Sequence, residues 1–252
     1  MARPVTLVTG ASAGLGAEFA RQCAARGDEL VLVARRRDRL DALAAEIGGK
    51  THVFPLDLAT PDAGLSLIQA VEAEGLVVDT LINNAGFGLA GRFVDQPLAR
   101  LTEMIDLNVR ALAELTHLAL PGMRARGHGA ICNVASTAAF QAGPNMAVYY
   151  ATKAFVLSFT EALHHELRDT PIRVSALCPG PTDTEFAEVA DSHSPTLKRM
   201  SGPAAAVVAA GLKGLDANKA IVIPGLPNKL TAQVNRILPR AVVRRIIGSI
   251  KS

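Results

Sequence analysis

Short apolar runs alternate with longer amphipathic segments along this chain, and that alternation restricts the possible folds more than any other feature. The seven runs are residues 5–10, 29–34, 52–58, 79–84, 129–136, 172–180 and 220–225. They are almost uniformly apolar and mostly end at turn residues, which is typical of strands buried on both faces of a sheet. Apolar residues recur at helical spacing between most of them. The pattern predicts an α/β fold: a Rossmann-like, doubly wound parallel sheet of about seven strands, with helices on both faces.

The composition favours one domain covering residues 1–252. Of these residues 49% are hydrophobic, enough for a large core, and no low-complexity linker or internal repeat divides the chain. Cys23, Cys132 and Cys178 lack paired spacing, so we expect neither a disulfide framework nor a bound metal. We find no secretory signal and no apolar run of the ~18 residues that a membrane span needs, so the expected location is the cytoplasm.

Basic residues are concentrated at the C-terminal end. Between residues 217 and 252 there is no acidic residue, and the basic residues are Lys219, Lys229, Arg236, Arg240, Arg244, Arg245 and Lys251. Residues 226–252 form a basic amphipathic extension, with Val242, Val243, Ile246, Ile247 and Ile250 on one helical stripe. Such a helix lies on an anionic membrane or an acidic partner, or packs on its own domain or a second subunit. No accompanying motif supports nucleic-acid binding.

The loop TGASAGLG, residues 9–16, follows the first run and allows two interpretations. Gly10, Ser12 and Gly14 match the elbow that presents a nucleophilic serine in α/β-hydrolases. With Gly16, the same glycines match a loop that admits a pyrophosphate at a helix N-terminus. The second interpretation is favoured, because an elbow normally follows several strands and too few residues precede Gly10 to supply an oxyanion loop. A Walker motif is excluded because G-K-[ST] is missing.

Tyr149 and Lys153 are four residues apart in a predicted helix that begins at YYATK, so they share one face. A phenol with a pKa near ~10 is a weak acid, but a neighbouring ammonium lowers that pKa and suits the pair to protonating an alkoxide. Tyr150 is the rival, yet the residue four positions after it is Ala154. In isolation such a pair usually indicates surface packing, so its significance depends on other residues nearby.

Those other residues follow neighbouring strands. Ser136 closes the fifth run, and NNAG at 83–86 follows the fourth. Asn108 lies on the apolar stripe of a helix predicted over 99–118, which is unusual for an amide without a partner, although a satisfied core asparagine is the ordinary explanation. The carboxyl ends of parallel strands meet at one sheet edge, where ligands bind in this architecture, so we expect these polar groups near Tyr149.

In these motifs, and in CPG at 178–180, the chain resembles the short-chain dehydrogenase/reductase family, in its single-domain branch of this length. The resemblance covers residues 4–225 and rests on four motifs in the expected order. It implies a nicotinamide-dependent oxidoreductase that interconverts a carbonyl and a secondary alcohol. It departs from the family pattern at Cys178, where asparagine is common.

The resemblance also implies residue roles. Tyr149 would act as general acid or base, Lys153 would lower its pKa and bind the nicotinamide ribose, Ser136 would hold the substrate oxygen, and Asn108 would keep a water that links the lysine to solvent. Cofactor contacts would come from Gly10, Ser12, Ala13, Gly14, Leu15, Gly16, Arg35, Asp57, Leu58, Asn84, Ala85, Gly86, Tyr149, Lys153, Pro179, Gly180, Thr182 and Thr184. For Asp57 and Thr184, a loop acid and a helix cap are the structural alternatives.

The end of the second run indicates which cofactor is bound. Enzymes that prefer NAD usually place an acid there, whereas this chain has Arg35, Arg36 and Arg37. Arg35 can pair bidentately with a 2′-phosphate. Three cations at a helix N-terminus oppose the macrodipole, which suggests that they serve a purpose other than stabilising the helix. We predict NADP(H), with NAD(H) as the alternative because Asp38 is close to the same tip.

The substrate is less well defined by the sequence. Segments 87–95, 138–146 and 184–200 are expected over the site, and they bring the apolar side chains Phe87, Phe140, Met146, Phe186 and Met200. A lipophilic ketone, a 3-oxoacyl thioester and a hydroxysteroid all fit. The alternative functions are a non-catalytic NADP(H)-binding sensor or scaffold and a hydrolase that uses Ser12. The resemblance implies a homo-oligomer, dimeric or tetrameric, through the helices that carry Asn108 and Tyr149.

Overall fold

A computed structural model describes residues 2–185 and 201–250. One sheet contains the strands β1 (Arg3–Thr9), β2 (Leu30–Ala34), β3 (Thr51–Pro55), β4 (Leu76–Asn83), β5 (Gly129–Val134), β6 (Ile172–Leu177) and β7 (Ile221–Val222). All neighbouring strands are parallel, in the order β3-β2-β1-β4-β5-β6-β7. Each predicted apolar run overlaps a strand, so the predicted Rossmann-like, doubly wound sheet is confirmed. The strand order reverses between β1 and β4, where such sheets open a crevice at their carboxyl ends.

Helices connect the strands. They are α1 (Gly14–Ala25), α2 (Arg37–Ile47), α3 (Ala63–Ala73), α4 (Leu98–Ile105), α5 (Leu112–Arg126), α6 (Ala147–Glu166), α7 (Ala204–Asp216), α8 (Leu226–Ile237) and α9 (Arg240–Ile250). A π-helical turn, Asp106–Ala111, joins α4 to α5. The helix predicted over 99–118 therefore exists, but it is wound more widely around Asn108. A short 3-10 turn, Thr137–Phe140, follows β5.

Side chains that alternate along the strands build two core layers. Leu7 of β1 packs in one layer with Leu67 of α3 and Leu115 of α5. The next residue, Val8, points to the other face and packs with Phe19 of α1 and Leu212 of α7. Because successive side chains of a strand point to opposite faces, uniformly apolar strands require helices on both sides. The free cysteines Cys23, Cys132 and Cys178 are buried in this apolar interior.

A buried polar chain ties two helices to the centre of the sheet. The amide of Asn83 donates to Thr116 Oγ1 of α5 (3.0 Å) and to Asn133 Oδ1 of β5 (2.9 Å), and Asn133 donates to Thr160 Oγ1 of α6 (3.0 Å). Buried polar groups that are paired in this way fix the positions of their elements, because an unpaired arrangement costs free energy. This series of hydrogen bonds therefore positions α5 and α6 beside the carboxyl ends of β4 and β5.

Candidate active site

The glycine loop between β1 and α1 lies against the turn that follows β4. Gly10 and Gly14 have φ angles of +66° and +55°, which side chains other than glycine rarely adopt. A Cβ on Gly16 would stand 2.1 Å from the Gly10 carbonyl oxygen. The Asn84 amide donates to the carbonyl oxygens of Thr9 (2.9 Å) and Gly10 (3.3 Å). Asn84 therefore fixes the position of this loop through two hydrogen bonds, at the point where the strand order reverses.

The N-terminus of α1 has the features of an anion site. The helix begins at Gly14, the preceding Ala13 makes no side-chain capping bond, and the first turn, which includes Leu15, carries no acid. The unpaired amide groups and the positive end of the helix dipole favour a phosphate there. The main chain of the loop thus fits the pyrophosphate of a dinucleotide.

Ser12 is bonded to a cation rather than to a base. Its hydroxyl accepts from Arg36 Nε (3.3 Å) and Nη2 (3.1 Å). A guanidinium has no acceptor and remains protonated, so it cannot remove the Ser12 proton. These contacts favour the phosphate cradle over the nucleophile elbow, and they place a positive charge at the loop.

Arg36 is a site residue that the sequence interpretation missed. Arg35, which was singled out for a 2′-phosphate, instead directs Nη1 toward Glu103 Oε1 (3.0 Å) and Asp57 Oδ2 (3.8 Å). Arg36 bonds to Ser12 and also pairs with Glu185 (3.1 Å). Three consecutive arginines look alike in a sequence, and only the direction of the chain as it leaves β2 decides which one faces the loop.

The residues after β3 contribute unequally. Asp57 Oδ1 accepts from the Ala59 amide (3.0 Å), while Oδ2 faces Arg35, so Asp57 acts partly as the loop acid that the alternative interpretation described. Leu58 is buried in the core, and its side chain helps to line a small cavity of about 10 Å³. Leu58 can therefore contribute its main chain, but not its side chain, to a ligand at the sheet edge.

The loop after β6 lies against the glycine loop. A Cβ on Gly14 would lie 3.1 Å from Thr184 Cβ, so these two residues are neighbours. Thr182 Oγ1 donates to the Gly180 carbonyl oxygen (3.0 Å), and the Pro179 carbonyl oxygen accepts from the Thr137 amide (2.9 Å). The first of these bonds is internal to the β6 loop, and the second joins that loop to the turn that follows Ser136.

Ser136 and Tyr149 form a hydrogen-bonded pair at the end of β5. The Ser136 hydroxyl accepts from the Ala138 amide (3.1 Å), which leaves its own hydrogen available for the phenol or for a substrate oxygen. Burial raises the pKa of Tyr149 to about 12, although the bond to Ser136 acts in the opposite direction. The predicted lowering of this pKa by Lys153 stays a prediction, because desolvation is the dominant effect on the phenol in this structure.

Lys153 lies beside the NNAG turn, within the same buried region. Its Nζ donates to the Val134 carbonyl oxygen (2.8 Å), and desolvation lowers its pKa to about 8. A Cβ on Gly86 would stand 3.4 Å from this Nζ and 2.8 Å from Asn108 Oδ1. Gly86 and its neighbour Ala85, whose amide donates to Thr9 Oγ1 (3.0 Å), thus leave room for the lysine.

Asn108 has partners for both ends of its amide. Its Oδ1 accepts from the Phe87 amide (3.1 Å), and its Nδ2 donates to the Phe87 carbonyl oxygen (2.9 Å) and to Thr152 Oγ1 (3.1 Å). The π-helical turn directs the amide toward these groups, in line with the frequent occurrence of such turns at functional sites. Asn108 therefore connects the NNAG segment to α6, one residue before Lys153.

Tyr150, the rival tyrosine, occupies a different environment. Its ring meets that of Tyr149 edge-on, with the centroids 6.1 Å apart. A Cβ on Gly143 would come within 2.3 Å of the Tyr150 ring, so this ring packs on the loop before α6. The structure thus brings Tyr149, and not Tyr150, to Ser136.

Apolar side chains surround the tyrosine. Phe87, Leu101, Met104, Ala138, Met146, Tyr149 and Tyr150 form one buried cluster, and Ile247 of α9 packs against it. The guanidinium of Arg100 covers the Phe87 ring at 4.6 Å. Phe140 packs against a different cluster, and Phe186 and Met200 lie outside the described residues. The contribution of Ile247 was not predicted, because nothing local in the sequence relates the C-terminal stripe to this site.

The described residues contain neither a metal-binding cluster nor a membrane-spanning helix. Within residues 2–185 and 201–250, no group of three or more His, Cys, Asp or Glu side chains is arranged to hold a metal ion. Among the helices of the same residues, none has the length and apolar character that crossing a bilayer requires.

Comparisons with known proteins agree with this geometry. A family model described as short chain dehydrogenase matches residues 4–194. Over 189 residues, the chain is 39% identical to sulfoacetaldehyde reductase 2 of Chromohalobacter salexigens and 38% identical to the NADP-dependent 3-hydroxy acid dehydrogenase of Escherichia coli K12. Each alignment spans 73% of this chain and 75% of the relative. A solved short-chain dehydrogenase from Sphingobium yanoikuyae in complex with NADPH is 35% identical, with a TM-score of 0.83 over 98% of this chain and 95% of that one.

Proposed function

Because this chain belongs to the short-chain dehydrogenase family, we propose that it is an NADP(H)-dependent oxidoreductase that interconverts a carbonyl and a secondary alcohol through Tyr149. The observation that carries the proposal is the hydrogen-bonded pair of the half-buried Ser136 and the buried Tyr149, with Lys153 four residues further along the same helix. The pair provides a hydrogen-bond donor and a proton donor for one oxygen atom, and carbonyl reduction requires both.

The protonation states suit reduction. The Tyr149 phenol, with a pKa of about 12, keeps its proton at neutral pH, and the Lys153 amine, with a pKa of about 8, is mostly charged. Ser136 donates to the substrate carbonyl oxygen and so positions it beside the phenol. The chemistry that NADPH would supply when held by these residues is a hydride for the carbonyl carbon. Tyr149 gives its proton to the oxygen, and the resulting phenolate is stabilised by the nearby ammonium.

The residues present fit the proposed cofactor. The uncapped N-terminus of α1 and the main chain of Gly10–Gly16 would hold the pyrophosphate. Arg36, on Ser12, and Arg35, beside Asp57, would supply positive charge for a 2′-phosphate. The names of the Escherichia coli relative and of the Sphingobium structure specify NADP and NADPH and support this choice.

The substrate we favour is lipophilic. Phe87, Met146 and Ile247 pack around Tyr149, so a carbonyl compound near this phenol would meet apolar side chains. The two relatives carry names that specify sulfoacetaldehyde and 3-hydroxy acids, which are small and polar. A panel that contains both kinds of substrate therefore distinguishes a preference set by the apolar side chains around Tyr149 from one shared with these relatives.

We also favour a cytoplasmic homo-oligomer. Leu98 and Ile105 of α4 and Phe155 of α6 are exposed, on the helices that lead to and carry the site. Exposed apolar groups on neighbouring helices are common where subunits meet.

The rival function is a protein that binds NADP(H) as a sensor or scaffold without turnover. Such a protein has no need for a proton donor paired with a serine. Asn108, Tyr149 and Lys153 are buried and Ser136 is bonded to Tyr149, so the rival is not favoured.

The test is NADPH consumption by the purified protein across ketones, aldehydes, 3-oxoacyl thioesters, ketosteroids and sulfoacetaldehyde. We expect Tyr149→Phe to lower kcat about 10²- to 10⁴-fold, the usual contribution of a general acid, while NADPH binding measured by fluorescence is kept. Tyr150→Phe is the matched control and should stay within about threefold of the wild type, because it donates no proton to the substrate. NADPH binding without turnover of any substrate would favour the sensor.

A further inference from the structure

Helix α8 presents an apolar stripe to solvent. Leu226, Leu230 and Ile237 have exposed fractions of 69%, 65% and 81%. They are four and seven residues apart and so share one face. Asn228 and Ala232, on the opposite face, contact the domain: the Asn228 amide donates to the Pro224 carbonyl oxygen (2.8 Å), and Ala232 is buried. The helix is therefore held by one side and exposes large apolar groups on the other.

Helix α9 is divided in a similar way. Val243 is buried and Ile247 packs beside the Tyr149 cluster, whereas Val242 and Ile246 are 41% and 44% exposed. Packing of the basic extension on its own domain, one of the predicted alternatives, thus accounts for only part of the apolar stripe of α9. The remaining part leaves α9, like α8, with large apolar side chains exposed to solvent.

The charges of these helices have one sign. Lys229 of α8 and Arg240, Arg244 and Arg245 of α9 are exposed, and the sequence from residue 217 to 252 contains no acid. Elsewhere, exposed arginines are interspersed with acids, as in the pair Arg37–Asp41 on α2. Apolar groups flanked only by cations are complementary to a surface that combines anionic groups with an apolar interior.

We propose that α8 and α9 dock the enzyme on an anionic lipid surface. The docking surface consists of Leu226, Leu230, Ile237, Val242 and Ile246, together with Lys229, Arg240, Arg244 and Arg245. The apolar side chains insert at the boundary between headgroups and acyl chains, and the cations pair with anionic headgroups. The docking depends on these side chains and not on the chemistry proposed for Tyr149.

A second copy of the chain is a poorer occupant of this surface. In a two-fold contact, the same patch lies on both subunits, so its residues meet residues of the same patch. Lys229 and the three arginines would then meet a surface whose charged groups are all cations, and like charges across an interface oppose association. An anionic bilayer has no such conflict.

The experiment is co-sedimentation of the full-length protein with large vesicles of phosphatidylcholine, with and without phosphatidylglycerol, at low and high salt. We expect the bound fraction on anionic vesicles at low salt to exceed that on phosphatidylcholine about fivefold or more, and to fall at high salt because exposed charges are screened. Thermal unfolding midpoints confirm that each variant is folded, so the test is independent of any enzymatic activity.

Matched variants test the surface itself. Leu226→Ser combined with Leu230→Ser should reduce binding about fivefold or more, as should Arg244→Gln combined with Arg245→Gln. The control is Phe93→Ser combined with Val94→Ser, which removes two side chains that are 60% and 76% exposed in a turn elsewhere on the surface. The control pair should bind like the wild type.

Three results would overturn the proposal. The first is equal sedimentation with both vesicle types, and the second is an equal loss of binding in the α8 and control variants. The third is an unchanged vesicle interaction accompanied by a lower molar mass of the Leu226/Leu230 variant in light scattering, which would assign α8 to a contact between subunits.

Discussion

Burial controls the protonation of the two groups nearest the chemistry. Removing water raises the pKa of Tyr149 to about 12 and lowers that of Lys153 to about 8, since each neutral form is easier to bury than the charged form. The phenol therefore starts as a reliable proton donor. The lysine is four residues further along the same helix, on the same face, where its charge can stabilise the phenolate once it forms.

The Lys153 pKa predicts how stability changes with pH. Below pH 8 the lysine is charged in both the folded and unfolded states, so the full cost of burial is present; between pH 8 and 10.5 only the unfolded state holds the proton. The free energy of unfolding of the cofactor-free wild type, relative to Lys153→Met, should thus rise by about 1.4 kcal/mol for each pH unit in this window. Urea unfolding of both proteins at several pH values measures it. A difference that stays flat or falls with pH would contradict the assigned burial effect.

Arg36 should determine the preference for NADPH. We expect Arg36→Ala to raise the KM for NADPH about 10- to 100-fold, the effect of losing a charge-assisted hydrogen bond, and to change the KM for NADH by less than about threefold. Steady-state kinetics with both cofactors measures this. Arg37→Ala is the control, because its guanidinium pairs with Asp41 (3.3 Å) on α2. An equal effect of Arg36→Ala on both cofactors would show that Arg36 does not bind the 2′-phosphate.

At the scale of elements, the π-helical turn between α4 and α5 and the helix α6 position the site together. The turn directs Asn108 toward Phe87 on one side and Thr152 on the other. One buried amide thus connects two segments that carry the NNAG turn and Lys153. Removing the amide would take away the partner of the Phe87 amide and of the Phe87 carbonyl oxygen, which explains why a polar residue lies on an otherwise apolar stripe.

Helix α9 should influence which substrates are accepted. We expect Ile247→Ala to raise the KM for bulky apolar ketones about tenfold, because a few lost methylenes in an apolar pocket have effects of this size. The KM for small polar carbonyls should hardly change. Ile246→Ala is the matched control, since the Ile246 side chain is half exposed and is not part of the Tyr149 cluster. Equal effects of the two variants would mean that α9 acts only on stability.

At the scale of the whole molecule, helix α6 carries both residues of the candidate site and an exposed apolar side chain, on different faces. The site occupies the carboxyl edge of the central strands, whereas Phe155, stacked on Phe159 with the ring centroids 5.7 Å apart, is exposed on α6. One domain can thus keep its catalytic edge accessible while its helices contact a second subunit.

The proposed oligomer gives a prediction at this scale. The wild type should show the molar mass of a dimer or tetramer in light scattering, and Phe155→Arg should shift it toward the 26.4 kDa of one chain, because an arginine in an apolar subunit contact is left unpaired. Leu65→Arg on α3 is the control, at a similarly exposed apolar position. A monomeric wild type, or dissociation by the control alone, would exclude this interface.

The sequence by itself determined the sheet, the glycine loop and the identity of Tyr149 and Lys153. Uniformly apolar strands can be buried only between two helical layers, and a spacing of four residues places two side chains on one helical face whatever surrounds them. These are local properties, so a linear pattern contains them.

Only the tertiary structure decided which arginine reaches Ser12, that Ile247 joins the Tyr149 cluster, and that burial raises the phenol pKa. Each of these depends on the distance between segments far apart in the chain, or on how much water the assembled core excludes. Arg36 and Ser12 are 24 residues apart in sequence, and Ile247 lies nearly a hundred residues after Tyr149. No local pattern records such distances, because they arise only when the packed elements meet.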